Sequence, residues 1–105
     1  MTNNFFYLAN MDGQIPEIPA DSIISRTFYQ DENTKAILFG FAEGQELSEH
    51  TASRPAILHF LKGRAAITLG EEEYEAEAGA WSHLPPNLPH SVKASTEVVM
   101  LLLLL

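Results

Sequence analysis

What most limits the fold of this chain is the rhythm of its backbone breakers. From residue 31 onward a turn signal recurs every few residues: Asp31-Glu32-Asn33, Glu43-Gly44, Arg54-Pro55, Gly63, Gly70-Glu71, Ala78-Gly79, Pro85-Pro86-Asn87 and Ser95-Thr96. These residue types supply left-handed backbone, fix φ, or hydrogen-bond their own main chain. The intervals between them are too short for ordinary helices and are rich in β-branched, aromatic and aliphatic side chains. Nine strands are predicted, over residues 23–30, 35–42, 46–50, 56–62, 65–69, 73–77, 80–84, 90–94 and 97–104. Such a series argues for an all-β, antiparallel sandwich or barrel with under about a tenth of its residues helical.

Residues 1–22 stand apart. Phe5, Phe6 and Tyr7 form an aromatic group, and Asp12-Gly13, Pro16 and Pro19 prevent a long helix, so this segment is expected to be an arm packed on the outside of a barrel spanning residues 23–105. At 105 residues and 46% hydrophobic content there is room for one core and one domain. Leu69-Gly70-Glu71-Glu72 reads as a tight hairpin. The glutamates at 71, 72, 73, 75 and 77 read as a solvated stripe that keeps an edge strand from pairing with other chains.

Charge and cysteine usage exclude several functions. A net charge of −8 with six scattered Lys and Arg residues repels phosphate backbones and anionic lipid, so neither nucleic acid nor a membrane is an expected partner. With no cysteine, any metal must be held by nitrogen and oxygen. The first basic residue is Arg26, which leaves no positively charged leader, and a cytoplasmic location is expected. The apolar run at residues 98–105 is far shorter than the roughly 20 residues a spanning helix needs. It suits a strand buried on both faces or lying on a second subunit, and with the aromatic arm it leads us to expect a homodimer. No Ser-His-Asp arrangement, phosphate loop or paired-carboxylate signature is present.

Function is sought in residues 78–90. Pro85 and Pro86 end a strand, Asn87 tolerates a left-handed backbone, and Pro89 fixes φ just before His90, so the turn mounts His90 rigidly at the head of the next strand. His50 likewise follows a glycine, Gly44, and Gly63 closes its segment. This spacing resembles the two short motifs of the cupin family. The first runs glycine, five residues, His-x-His, then a glutamate seven residues before a closing glycine; Gly44, His50 and Gly63 match it. The second runs glycine, five residues, Pro-x-Gly, two residues, histidine, three residues, asparagine. Gly79, Pro85 and His90 match it, with Asn87 in place of the middle glycine and Ala94 in place of the asparagine.

The resemblance implies an antiparallel double-sheet jelly-roll barrel holding a divalent metal (Zn, Fe, Mn or Ni) through three histidines and one glutamate. Two of those positions are changed here, to Ala52 and Ala56, so only His50 and His90 carry over as ligands, facing each other across the barrel mouth. His59 and His83 are the candidate replacements. The resemblance places their strands side by side in one sheet, with His50 and His90 on the other. Strand alternation argues that His59 points away from the interior, since it lies three residues from Ala56, and only a bulge would bring it inward. Phe39, Phe41, Leu58, Phe60 and Trp81 are expected in the core or the pocket wall, and Arg54 is a candidate clamp for a substrate carboxylate. Three functions stay open: a metal-binding cupin acting on a small organic substrate, a non-catalytic barrel binding a small molecule without metal, and a structural or oligomeric protein whose pocket is vestigial.

Overall fold

The computed structural model describes residues 4–105; the first three residues of the expected arm lie outside the described residues. Nine strands form two antiparallel sheets. In chain order they are β1 (Ile23–Gln30), β2 (Lys35–Phe41), β3 (Glu46–His50), β4 (Ala56–Lys62), β5 (Arg64–Leu69), β6 (Glu72–Glu77), β7 (Trp81–Leu84), β8 (His90–Ala94) and β9 (Val98–Leu104). The larger sheet has the order β1-β2-β9-β4-β7 and the smaller β3-β8-β5-β6. Among the described residues the one helical piece is a 3-10 turn at Met11–Gln14. No helix among them is long and apolar enough to cross a membrane.

Period-two alternation decides what each sheet gives to the core. In β4, Ala56, Leu58 and Phe60 are buried while Ile57, His59 and Leu61 are only half-buried; in β8, His90, Val92 and Ala94 face inward. Val98 and Met100 of β9 join them, and the core is completed by Phe41, Ala65, Ile67, Ala76 and Leu84. The leucine-rich β9 is the central strand of its sheet, paired with β2 on one side and β4 on the other. Its outward residues Val99, Leu101 and Leu103 are half-buried.

The arm lies on the outer face of the larger sheet. Gly40 lets it sit close: a Cβ there would stand 2.8 Å from Ile18 and 3.0 Å from Ile15. Further along, the Phe6 ring packs against Tyr29, with centroids 5.1 Å apart and planes tilted by 46°. Gly70-Glu71 makes the two-residue β5–β6 hairpin, with a positive φ of 63° at Gly70 as a type II′ turn requires. The seventh strand starts one residue later than the pattern predicts. The Ala80 amide donates to the Glu77 carbonyl and so belongs to the turn.

Candidate functional site

The turn before β8 is held from two sides. Pro85 and Pro86 end β7, and Asn87 has a φ of 67°, in the region that its short amide side chain tolerates and most residues avoid. The Asn87 amide donates to the Ala52 carbonyl at 2.7 Å, and the Gly70 amide donates to the Pro89 carbonyl at 2.7 Å. The segment leading to His90 is therefore tied both to the stretch after His50 and to the β5–β6 hairpin.

His50 and His90 are directly opposite each other in the β3–β8 ladder. They do not face one another across the mouth, as expected from the motifs, but stand side by side on the inner face of the smaller sheet, ring centroids 4.1 Å apart and planes tilted by 56°. A bulge achieves this. Leu47 pairs with Val92, and regular pairing would put Glu49 opposite His90; the register shift between Leu47 and His50 brings the imidazole there instead.

Each ring is oriented by the carbonyl two residues upstream. His50 Nδ1 lies 2.8 Å from the Ser48 oxygen and His90 Nδ1 lies 2.9 Å from the Leu88 oxygen. A carbonyl only accepts, so in each neutral ring Nδ1 carries the proton and donates, leaving the Nε2 lone pair free. His90 is buried, at 6% exposure, whereas His50 is exposed. Burial depresses the His90 pKa below 6.5, the hydrogen bond to Leu88 opposes that shift, and the neighbouring His50 adds to it. The pair thus presents a buried neutral acceptor beside an accessible one.

The remaining candidates lie elsewhere. His59 and His83 are on adjacent strands, β4 and β7, of the larger sheet. The alternation that buries Ala56, Leu58, Phe60 and Leu84 turns both histidines to the outer face, so four imidazoles do not converge. Arg54 is half-buried and bound to main chain: Nε donates to the Leu105 carbonyl at 3.2 Å, and Nη2 to those of Asn33 at 2.9 Å and Leu104 at 3.4 Å. It clasps the end of β9 to the β1–β2 turn, with those donors turned away from the role of a substrate clamp. Phe41, Leu58 and Phe60 are core, and Phe39 packs against it. Trp81 is 60% exposed and lies with Phe60 in a cleft of about 360 Å³ between β6 and β7. Ser82 and Tyr74, which the sequence did not single out, line the same cleft.

A double-sheet antiparallel barrel with motif histidines on one inner wall defines a class of jelly-roll protein. The Cupin domain family matches residues 37–105, and the chain belongs to that family. Similar solved structures include a conserved protein of unknown function from Streptococcus pyogenes, 28% identical with a TM-score of 0.84, covering 98% of this chain and 91% of that one. A cupin superfamily protein from Desulfitobacterium hafniense is 22% identical, TM-score 0.80, covering 85% and 82%. A salicylate 1,2-dioxygenase from Pseudaminobacter salicylatoxidans shares the fold at 12% identity and TM-score 0.74, over 85% of this chain but 28% of that one. No curated protein matches the chain.

The donor set decides how well a divalent metal fits. The imidazoles are oriented as ligands are, each with its second nitrogen donating to a fixed acceptor. The number of ligands is short: among the described residues no group of three His, Asp or Glu side chains comes together, where such ions take three or more protein ligands. The residues fit part of such a site and do not complete it.

Proposed function

We propose that this chain is a non-catalytic small-molecule-binding cupin in which His50 and His90 together receive a hydrogen-bond donor, such as a hydroxyl or amine, of the bound molecule. The observation that supports it most is the matched anchoring of the two Nδ1 atoms on Ser48 and Leu88, which leaves two Nε2 acceptors side by side on the inner wall. Two acceptors without an adjoining carboxylate suit a neutral donor group, and burial keeps His90 in the acceptor form at neutral pH. Ring nitrogen NMR at pH 7.5 should show the Nδ1–H tautomer for both histidines. A fragment set of alcohols, phenols and amines should then shift both ring signals, and His50→Ala should abolish the shifts. No shifting fragment, or shifts indifferent to His50→Ala, would refute the reading.

A second reading is favoured by the same anchoring: a weak divalent metal site completed by water or by the ligand. Elemental analysis of untagged protein purified without added metal separates the two. Stoichiometric Zn, Fe, Mn or Ni, lost in His50→Ala and His90→Ala, would replace the first reading by the second.

A further inference from the structure

We infer that the outer face of β9, β4 and β7 docks a second copy of this chain about a two-fold axis at His59, and that acidification opens the contact by charging the imidazoles gathered there. The contact involves neither His50 nor His90. Charge singles out both the face and its occupant. The chain carries a net charge of −8, yet no strand of the larger sheet contains an Asp or Glu; the strand carboxylates Glu46, Glu49, Glu72, Glu73, Glu75 and Glu77 all belong to β3 and β6 of the smaller sheet. Two copies meeting through the smaller sheet bring these carboxylates together, whereas through the larger sheet they do not. The arm packs on the β2 side, with Ile15 and Ile18 against Gly40, and beside it Ile57, Leu61, Leu101 and Leu103 are half-buried and Trp81 is 60% exposed. With β9 seven residues long in a sheet of five strands, the face measures roughly 23 by 24 Å, or about 550 Å². That falls below the roughly 800 Å² per partner of a standard interface and fits a reversible dimer that a few charges can open.

The centre of the face is a histidine. β4 is the middle strand of β9-β4-β7, and His59 is the middle one of its outward residues Ile57, His59 and Leu61. Its ladder partners are Leu101 on β9 and Trp81 on β7. His83 lies two residues beyond Trp81 on the same face, a diagonal neighbour of His59 at about 7–8 Å. In a two-fold contact the residue at the axis meets its own copy, so two imidazoles from each chain come together among apolar side chains. Among the described residues the other charged groups beside them are Lys62, whose Nζ lies 3.1 Å from Glu97, and Asp12 of the arm, which lines a groove with Leu61 and Lys62. Neutral imidazoles pack in such a contact with no charge to desolvate. Protonated, they put four like charges into one apolar interface with no carboxylate on the sheet to pair them. Histidine makes this change between about pH 5 and 8.

The test uses the full chain, which has no cysteine, so that one introduced thiol can pair only with its own copy. Under mild oxidation at pH 7.5, His59→Cys should give a disulfide-linked dimer, while Glu46→Cys, on the smaller sheet, should stay monomeric on a non-reducing gel. Sedimentation equilibrium of the wild-type chain should show the dimer dissociation constant rising at least about tenfold between pH 7.5 and 5.5. Acid also reduces the net negative charge, which by itself favours association, so a weaker dimer at low pH cannot come from overall charge. The double variant His59→Gln with His83→Gln keeps His50 and His90 and should lose the pH response. A wild-type chain that is monomeric at both pH values, or a dimer equally tight at both, would overturn the inference. So would a pH response that persists in the double variant, or cross-linking of Glu46→Cys as ready as that of His59→Cys.

Discussion

Gly63 offers the sharpest test of how the barrel is held together. Gly63, Gly44 and Gly79 all have positive φ, at 86°, 84° and 96°, so a Cβ is unfavourable at each by about 1–2 kcal/mol from local sterics. Their surroundings differ. Nothing stands within 4 Å of the Cβ position at Gly44 or Gly79, whereas at Gly63 it would collide with the carbonyl oxygen of Glu97 and lie 2.8 Å from Thr96 Oγ1. Both are fixed main-chain or hydrogen-bonded atoms. The Arg64 amide donates to Thr96 Oγ1 at 3.0 Å, and the Arg64 carbonyl accepts from Ser95 at 2.9 Å and Thr96 at 3.3 Å. Relieving the collision means pushing these segments apart and weakening three hydrogen bonds, each worth about 0.5–1.5 kcal/mol. Gly63→Ala should therefore cost about 3–5 kcal/mol against about 1–2 for Gly44→Ala, a gap of roughly 10 °C or more in Tm for a domain of this size. Urea unfolding of the two variants in parallel measures it. Equal losses would show that backbone conformation alone sets the cost, and that the closing glycine of the first motif has no packing role.

Three further outcomes are expected. His90 should titrate below 6.5; the unfolded chain then binds the extra proton first, so stability is full above pH 6.5 and falls as pH drops from there through the folded-state pKa, and a flat urea-stability profile between pH 7.5 and 5 would contradict this. Asp31 does not confuse that window, because its bonds from Tyr29, Asn33 and Thr34 lower its pKa from 3.8. The double variant Ala52→His with Ala56→Glu should gain a metal site, read as a rise in Tm of several degrees with equimolar Zn²⁺ that the wild type lacks; no rise would mean that these positions do not converge on the histidine pair. We also propose a homodimer through the outer face of the larger sheet, where Ile57, Leu61, Leu101 and Leu103 are half-buried and Trp81 is exposed, so light scattering should give about twice 11.6 kDa and Leu101→Lys should give the monomer mass, while a wild-type monomer at micromolar concentration would refute it.

Most of the fold can be read from local chemistry. Strand limits coincide with Gly, Pro and Asn signals because these act on their own φ and hydrogen bonds, and Asn87 is the clear case: its backbone was predictable from residue type and the flanking prolines. The outward direction of His59 follows from counting residues from Ala56. What escapes a local reading depends on pairing between distant segments. That His50 and His90 are neighbours in one ladder is set by a bulge, and nothing in Ser48-Glu49 announces it. Arg54 bonds to residues 21, 50 and 51 positions away, so its main-chain clasp is invisible along the sequence. The cleft at Ser82 exists because two edge strands fail to pair, which is a property of sheet order and not of any single strand.

The bulge in β3 also makes the chemistry of the histidine wall a matter of reading frame. β3 spends one residue more than β8 between the Leu47–Val92 pair and the His50–His90 pair, and that surplus selects imidazole over carboxylate as the neighbour of His90. Shortening the strand by one residue at Ser48 would bring the two strands back into phase with His50 still opposite His90, but without the Ser48 carbonyl that orients its ring. Pairing the unshortened strand in phase would instead deliver Glu49, whose negative charge would raise the His90 pKa and turn a pair of acceptors into an acid–base couple. Variation in the length of this strand, more than variation in its side chains, is therefore the lever by which a barrel of this kind can change what its inner wall recognises.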